Sequence, residues 1–216
     1  MKNKFQQELF NQMPIIGILR NVPIAKAELI IPYYIKAGFT TLEITMNSAD
    51  VCETLRLLTG KYTNFNIGAG TVCTRQDLEM ALENGASFIV SPIVNEEVMQ
   101  FCVTNGIPIF PGAYTPQEIY HAANLGATAV KVFPATKLGP GFIKDVLAAL
   151  DTLKLLPTGG VSLDNMDAYF KAGAVGLGMG SSLFNQELIA NNDFTGLYNH
   201  FKLIADKVMN HKSKDK

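Results

Sequence analysis

Apolar and polar positions follow two periods along this chain, and the two take turns. Short apolar runs rich in β-branched residues recur at 15–20, 41–46, 66–71, 88–92, 108–111, 129–134, 155–158 and 176–180; each reads as a buried strand. Amphipathic stretches with helical spacing lie between them, as at 25–37, 77–84, 96–104 and 116–125. Several of these stop at a glycine suited to a left-handed helix end: Gly38, Gly85, Gly106, Gly126 and Gly173. Phrases such as -Ala-Gly-, -Asn-Gly-Ala- and -Leu-Gly-Ala- before the strands form a weak internal repeat. The eight strand-like runs start roughly 20–26 residues apart, about the size of one β-α unit.

This pattern predicts an α/β fold, a single (β/α)8 TIM barrel over residues 1–216 at the small end of that fold's range. An N-terminal helix over 1–12 carries Phe5, Leu9 and Phe10 on one side, and the Lys-rich tail at 211–216 is expected to fray. An open doubly wound sheet is the alternative. It calls for Gly-x-Gly-x-x-Gly after the first strand, a motif this chain lacks.

Composition narrows the class. Of 216 residues, 48% are hydrophobic, enough for a sizeable core. A net charge of -1 supplies no global field for nucleic acid or a membrane surface, and no apolar run is long enough to span a bilayer. The N-terminus lacks the apolar core and cleavage site of a signal peptide. Cys52, Cys73 and Cys102 are odd in number and widely spaced, which fits reduced thiols in the cytoplasm.

The chemistry starts at Lys131, a lysine inside the apolar run Ala129-Val130-Lys131-Val132-Phe133-Pro134. A buried ammonium loses its preference for the charged form, which frees the amine as a nucleophile toward a carbonyl. A strand-edge lysine snorkelling to water is the bland alternative. Alternation decides between them: Val130 and Val132 face the helices, so Lys131 and Phe133 face the barrel axis. The same argument turns Glu43 and Thr45 inward, opposite Leu42 and Ile44. The two strands lie on opposite sides of an eight-stranded barrel, so Glu43 and Lys131 can converge on one small ligand. A purely structural ion pair would cost desolvation for little gain.

Other strand ends add polar groups. Arg20 is placed to hold a carboxylate bidentately, against the alternative of a rim salt bridge. Gly159-Gly160 and Gly180-Ser181 form two late turns, the usual phosphate site of such barrels. No His pair, His/carboxylate cluster or Ser/His/Asp arrangement falls at strand ends, since His121 and His200 lie in helix-like stretches and His211 in the tail. Neither a metal nor an organic cofactor is expected.

At these residues the chain resembles the class I 2-keto-3-deoxy-6-phosphogluconate (KDPG) and 2-keto-3-deoxy-6-phosphogalactonate aldolases, with the related 4-hydroxy-2-oxoglutarate (KHG) aldolases. The matching phrases run from Ile18-Leu19-Arg20 through Leu42-Glu43-Ile44-Thr45, Gly68-Ala69-Gly70-Thr71-Val72, Phe88-Ile89-Val90-Ser91-Pro92 and Pro111-Gly112. They continue with Lys131-Val132-Phe133-Pro134, Pro157-Thr158-Gly159-Gly160-Val161 and Gly178-Met179-Gly180-Ser181. The resemblance implies Lys131 as Schiff-base lysine and Glu43 as acid/base. Arg20 and Thr71 would hold the pyruvate carboxylate, Phe133 would wall the imine, Pro92 would contact substrate, and Gly159, Gly160, Gly180 and Ser181 would bind phosphate. It further implies a cytoplasmic homotrimer of Entner-Doudoroff type that yields pyruvate and glyceraldehyde 3-phosphate. Asn47 stands where some gluconate-type members place an arginine, and galactonate-type members resemble this chain there, so the preference at C4 stays open. A phosphate-binding barrel isomerase or epimerase, and a non-catalytic sensor of sugar-acid phosphates, are the rival classes.

Overall fold

A computed structural model describes residues 4–214. Nine strands follow one another as β1 (Ile15–Leu19), β2 (Thr41–Thr45), β3 (Asn66–Gly70), β4 (Ile89–Val90), β5 (Ile109–Phe110), β6 (Gly112–Ala113), β7 (Val130–Val132), β8 (Leu155–Pro157) and β9 (Leu177–Met179). The helices are α1 (Gln7–Gln12), α2 (Ile24–Lys36), α3 (Val51–Lys61), α4 (Arg75–Glu83), α5 (Glu96–Thr104), α6 (Pro116–Asn124), α7 (Gly139–Ala149), α8 (Met166–Lys171), α9 (Gln186–Ala190) and α10 (Phe194–Lys214).

All the strand pairings are parallel, but they fall into two sheets where one closed barrel was expected. A curled six-stranded sheet runs β5-β4-β3-β2-β1-β9, half a barrel, and a three-stranded sheet runs β6-β7-β8. The break lies within the expected run at 108–111. Proline has no N–H to give to a ladder, and Pro111 splits that run into β5 and β6. Its carbonyl still accepts the Lys131 N–H at 2.9 Å.

Side-chain alternation sorts the interior. Leu42, Ile44, Val130 and Val132 pack outward with the helices. Ile16, Phe88, Val90, Phe110, Ala129 and Leu156 form a separate inner cluster with Phe10. One pleat further along their strands, on the same face, stand Ile18, Lys131 and Thr158. The inner cluster thus fills the strands' N-terminal end and leaves the other end for polar groups.

The N-terminal segment seals the filled end. Phe5 meets Phe88 edge-on at 5.3 Å between centroids, and Phe10 lies 6.0 Å from Phe110. Buried Asn66 clamps the segment from below: its Oδ1 accepts the Gln6 N–H at 2.7 Å and its Nδ2 donates to the Gln6 carbonyl at 3.0 Å. At the other terminus α10 continues to Lys214, where fraying was expected from residue 211. His211 stacks on Phe170 and Lys212 donates to the Asn11 and Gln12 carbonyls, contacts that hold the last turns. Residues 215 and 216 lie outside the described residues. Among the described residues no helix is long and apolar enough to cross a membrane.

Candidate active site

Glu43 and Lys131 are both almost completely buried, at 1% and 3% exposure. Each sits mid-strand, on β2 and β7. Burial pushes the Glu43 carboxyl above its ordinary range, against the pull of Lys131 and, less strongly, of Arg20. Burial likewise drives the Lys131 amine down; Glu43 opposes that shift and the Arg20 charge adds to it. Each group is therefore the other's strongest charged partner, yet desolvation moves both toward their neutral forms. Glu43 Oε1 is buried without a hydrogen-bond partner among the described residues. An orphaned polar atom of this kind is costly. The Lys131 Nζ lies over the Phe133 ring, 4.9 Å from its centroid, a contact that tolerates either a cation or an apolar imine carbon.

Lys131 and Phe133 open into a cavity of about 540 Å³ at the C-terminal ends of the strands. Arg20 lines it from the end of β1, and Gly159, Gly160, Gly180 and Ser181 line it after β8 and β9. Gly159 and Gly160 take φ of +89° and +74°, a conformation strained for any residue with a Cβ. Among the described residues, the N–H groups of Gly160 and Ser181 donate to no backbone acceptor. Free N–H groups on two adjacent turns suit an anion.

Three expected site residues stand apart from this wall. Glu43 is not part of the cavity lining, although its carboxyl interacts with the charge of Lys131. Thr71 is half-buried just past β3, with φ of +59°; a β-branched residue there is strained by about 1–3 kcal/mol. Pro92 lies beneath Gly112, where an added Cβ would come 2.3 Å from the Pro92 carbonyl oxygen.

The cavity also includes residues for which sequence reasoning assigned no role. Thr158 fills the space beside Gly178, whose added Cβ would lie 2.2 Å from Thr158 Oγ1. Its place at a strand end, next to Gly159, was the available signal. Asn21, Ser182 and Gln186 line the rim, and nothing in their local sequence marks them. Cys73 reads as a plain thiol in sequence; burial pushes it up, toward its neutral form, and only its ionised form would act on Lys131. Among the described residues no group of three His, Cys, Asp or Glu is arranged to hold a metal ion.

A parallel α/β sheet that ends in a buried amine, a buried carboxyl and a glycine-lined cavity has the parts of a carbonyl-addition enzyme. Comparison with known proteins agrees. The family description "KDPG and KHG aldolase" matches residues 7–199. A probable 2-dehydro-3-deoxy-6-phosphogalactonate aldolase of Rhizobium meliloti is 36% identical over 183 residues, covering 84% of this chain and 86% of the relative. A 2-dehydro-3-deoxy-phosphogluconate aldolase of Haemophilus influenzae is 31% identical over 192 residues, 87% of this chain and 91% of the relative. A crystal structure of KDPG aldolase from Legionella pneumophila, with pyruvate captured as a covalent carbinolamine, superposes with a TM-score of 0.85. That pair is 25% identical, over 91% of this chain and 96% of the other. The chain belongs to the KDPG and KHG aldolase family, and it is an aldolase, a carbon-carbon lyase.

Proposed function

We propose that the protein cleaves a 2-keto-3-deoxy-6-phospho sugar acid to pyruvate and glyceraldehyde 3-phosphate through an imine on Lys131. One observation carries this reading: the buried, mutually coupled Lys131 and Glu43, with Lys131 opening into a cavity whose far wall is a glycine anion cradle. The uncharged amine favoured by burial adds to the C2 ketone and forms a carbinolamine. Glu43 in its acid form protonates the departing hydroxyl, and water leaves the iminium. The Glu43 carboxylate then takes the C4 hydroxyl proton. The C3–C4 electron pair flows into the iminium, the aldehyde departs, and an enamine remains. Protonation at C3 and hydrolysis release pyruvate and restore Lys131.

Arg20 fits a carboxylate clamp, since among the described residues it enters no ion pair. Thr71 and Pro92 complete the proposed pyruvate subsite, and Phe133 flanks the imine. Gly159, Gly160, Gly180 and Ser181 hold the 6-phosphate. The two sheets are taken as one eight-stranded barrel, with β5 and β6 as a single interrupted strand. The Thr158–Gly178 bridge and the bond from Val175 N–H to the Leu155 carbonyl, 3.0 Å, support closure at one seam. The bond from Thr128 N–H to the Ile109 carbonyl, 2.9 Å, supports the other. A homotrimer in the cytoplasm completes the reading. The half-exposed Ile93, Tyr114 and Tyr120 supply apolar surface for assembly, and the free thiols of Cys52, Cys73 and Cys102 suit a reducing compartment.

The test is a coupled assay that follows pyruvate released from the gluconate- and galactonate-derived phosphorylated acids and from 4-hydroxy-2-oxoglutarate. Turnover of at least one phosphorylated acid, well above that of 4-hydroxy-2-oxoglutarate, is expected. Pyruvate from none of the three would remove the activity, and pyruvate from 4-hydroxy-2-oxoglutarate alone would replace the substrate.

A further inference from the structure

Arg20 lines the cavity, and among the described residues no ion pair fixes its guanidinium. Its aim therefore depends on the backbone that carries it. That backbone turns sharply: Asn21, the next residue, has a φ of +52°. Asparagine tolerates the left-handed region better than most residues, but the conformation persists only where surrounding contacts hold it. Among the described residues, a hydrogen bond from the Asn21 N–H to Ser48 Oγ, at 2.9 Å, holds it.

Ser48 is itself rigidly mounted. Its N–H closes a turn onto the Thr45 carbonyl at 2.9 Å, and its Oγ lies 2.8 Å from Thr45 Oγ1. A serine hydroxyl has one proton and two lone pairs, so it can accept from Asn21 and still share a hydrogen bond with Thr45. Thr45 is fully buried on β2, two residues beyond Glu43 and on the same face. One hydroxyl thus ties the loop that carries Arg20 to the strand that carries Glu43.

We propose that Ser48 is a positioning residue that sets the protein's affinity for the carboxylate of its 2-keto acid by fixing the Arg20 backbone. Ser48 does not line the cavity and acts only through Asn21. The proposal rests on the reading of Arg20 as the carboxylate clamp. A bidentate clamp is sensitive to small displacements, and a shift of about 1 Å can cost up to about 100-fold.

The experiment measures the pyruvate concentration that half-saturates borohydride trapping, together with kcat and KM for cleavage of the phosphorylated acid. The variants are Ser48→Ala, Ser48→Thr, Arg20→Ala and the Ser48→Ala/Arg20→Ala double variant. Ser48→Ala is expected to raise the half-saturating pyruvate and KM by roughly tenfold while kcat changes by less than about threefold. Ser48→Thr, which keeps the hydroxyl, should restore both. In the Arg20→Ala background the serine change should add nothing, because its effect runs through Arg20. Should Ser48→Ala fail to fold, Thr45→Val weakens the same tie from its buried end and is read in the same way. An unchanged half-saturation in Ser48→Ala, or the same increase with and without Arg20, would overturn the proposal. Arg20→Ala with wild-type half-saturation would instead remove the clamp reading and the proposal with it, and wild-type protein that traps no pyruvate would remove the imine.

Discussion

Gly70 leaves open the space that the Glu43 carboxylate fills: a Cβ added at Gly70 would lie 2.3 Å from Glu43 Oε1 and 2.5 Å from its carboxyl carbon. The two residues sit on adjacent strands, β2 and β3, with Thr45 paired to Gly70 and Glu43 to Gly68. The absence of one side chain thus sets the position of another, and backbone freedom plays no part, since Gly70 is not among the positive-φ glycines.

Gly70→Ala is therefore expected to displace the carboxylate and lower kcat by roughly 100-fold, the lower end of what a positioned acid/base contributes. The strain should also cost about 1–3 kcal/mol of stability. Steady-state kinetics and thermal melts read the two effects separately. Gly60→Ala is the control, since its Cβ meets nothing within 4 Å, and it should leave kcat unchanged.

Glu43→Gln should lower turnover by about 10²–10⁴-fold and also change the pH dependence of imine formation. The sign follows from the coupling. The Glu43 charge raises the Lys131 pKa against a larger lowering by burial from the ordinary 10.5. Glutamine removes the charge that holds the lysine proton, so the amine becomes free at lower pH. The midpoint of Lys131 labelling by pyruvate and cyanoborohydride should move toward acid in Glu43→Gln. A midpoint that moved toward base would mean that Glu43 does not act on Lys131 as a charge.

The unpaired N–H groups of Gly160 and Ser181 predict a preference for phosphorylated acids, which can satisfy them. Distant binding energy of this kind can also appear in kcat, by holding the carbonyl against Lys131. Ser181→Asp places a negative charge beside the phosphate. Its kcat/KM should fall at least tenfold more for a phosphorylated acid than for the unphosphorylated one. Equal losses on the two would leave these turns as loop geometry only.

The sealed end of the interior should matter for stability and not for chemistry. Phe10→Ala removes a ring that is 4% exposed and should cost about 3–5 kcal/mol. Asn66→Ala leaves the Gln6 N–H without its partner and should cost about 1–3 kcal/mol. In both variants kcat per folded molecule should match wild type, as measured by denaturant titration alongside kinetics.

Much of this arrangement was legible because charge in an apolar strand is conspicuous. Alternation alone turned Glu43 and Lys131 inward, and the structure brings them together. The positive-φ glycines 38, 85, 106, 126 and 173 follow their helices as the pattern implied. The split at Pro111 was less visible, because a proline closing a short apolar run reads equally as a strand end. The helical residues 211–214 looked like a solvated tail, since their hold comes from Phe170 and from carbonyls about two hundred positions away. The Asn21–Ser48 tie joins two loops 27 residues apart, and no local pattern encodes such a contact. The roles of Thr71 and Pro92 came from family resemblance alone, and neither lines the cavity.

Every step of the proposed cleavage depends on an imine at Lys131. Wild-type protein incubated with pyruvate and reduced with borohydride should gain one pyruvate-derived adduct per chain, located by peptide mass spectrometry on Lys131. Lys131→Met should gain none while melting as a folded protein. An adduct on another lysine, labelling that survives in Lys131→Met, or pyruvate-dependent turnover without any trapped adduct would contradict the account.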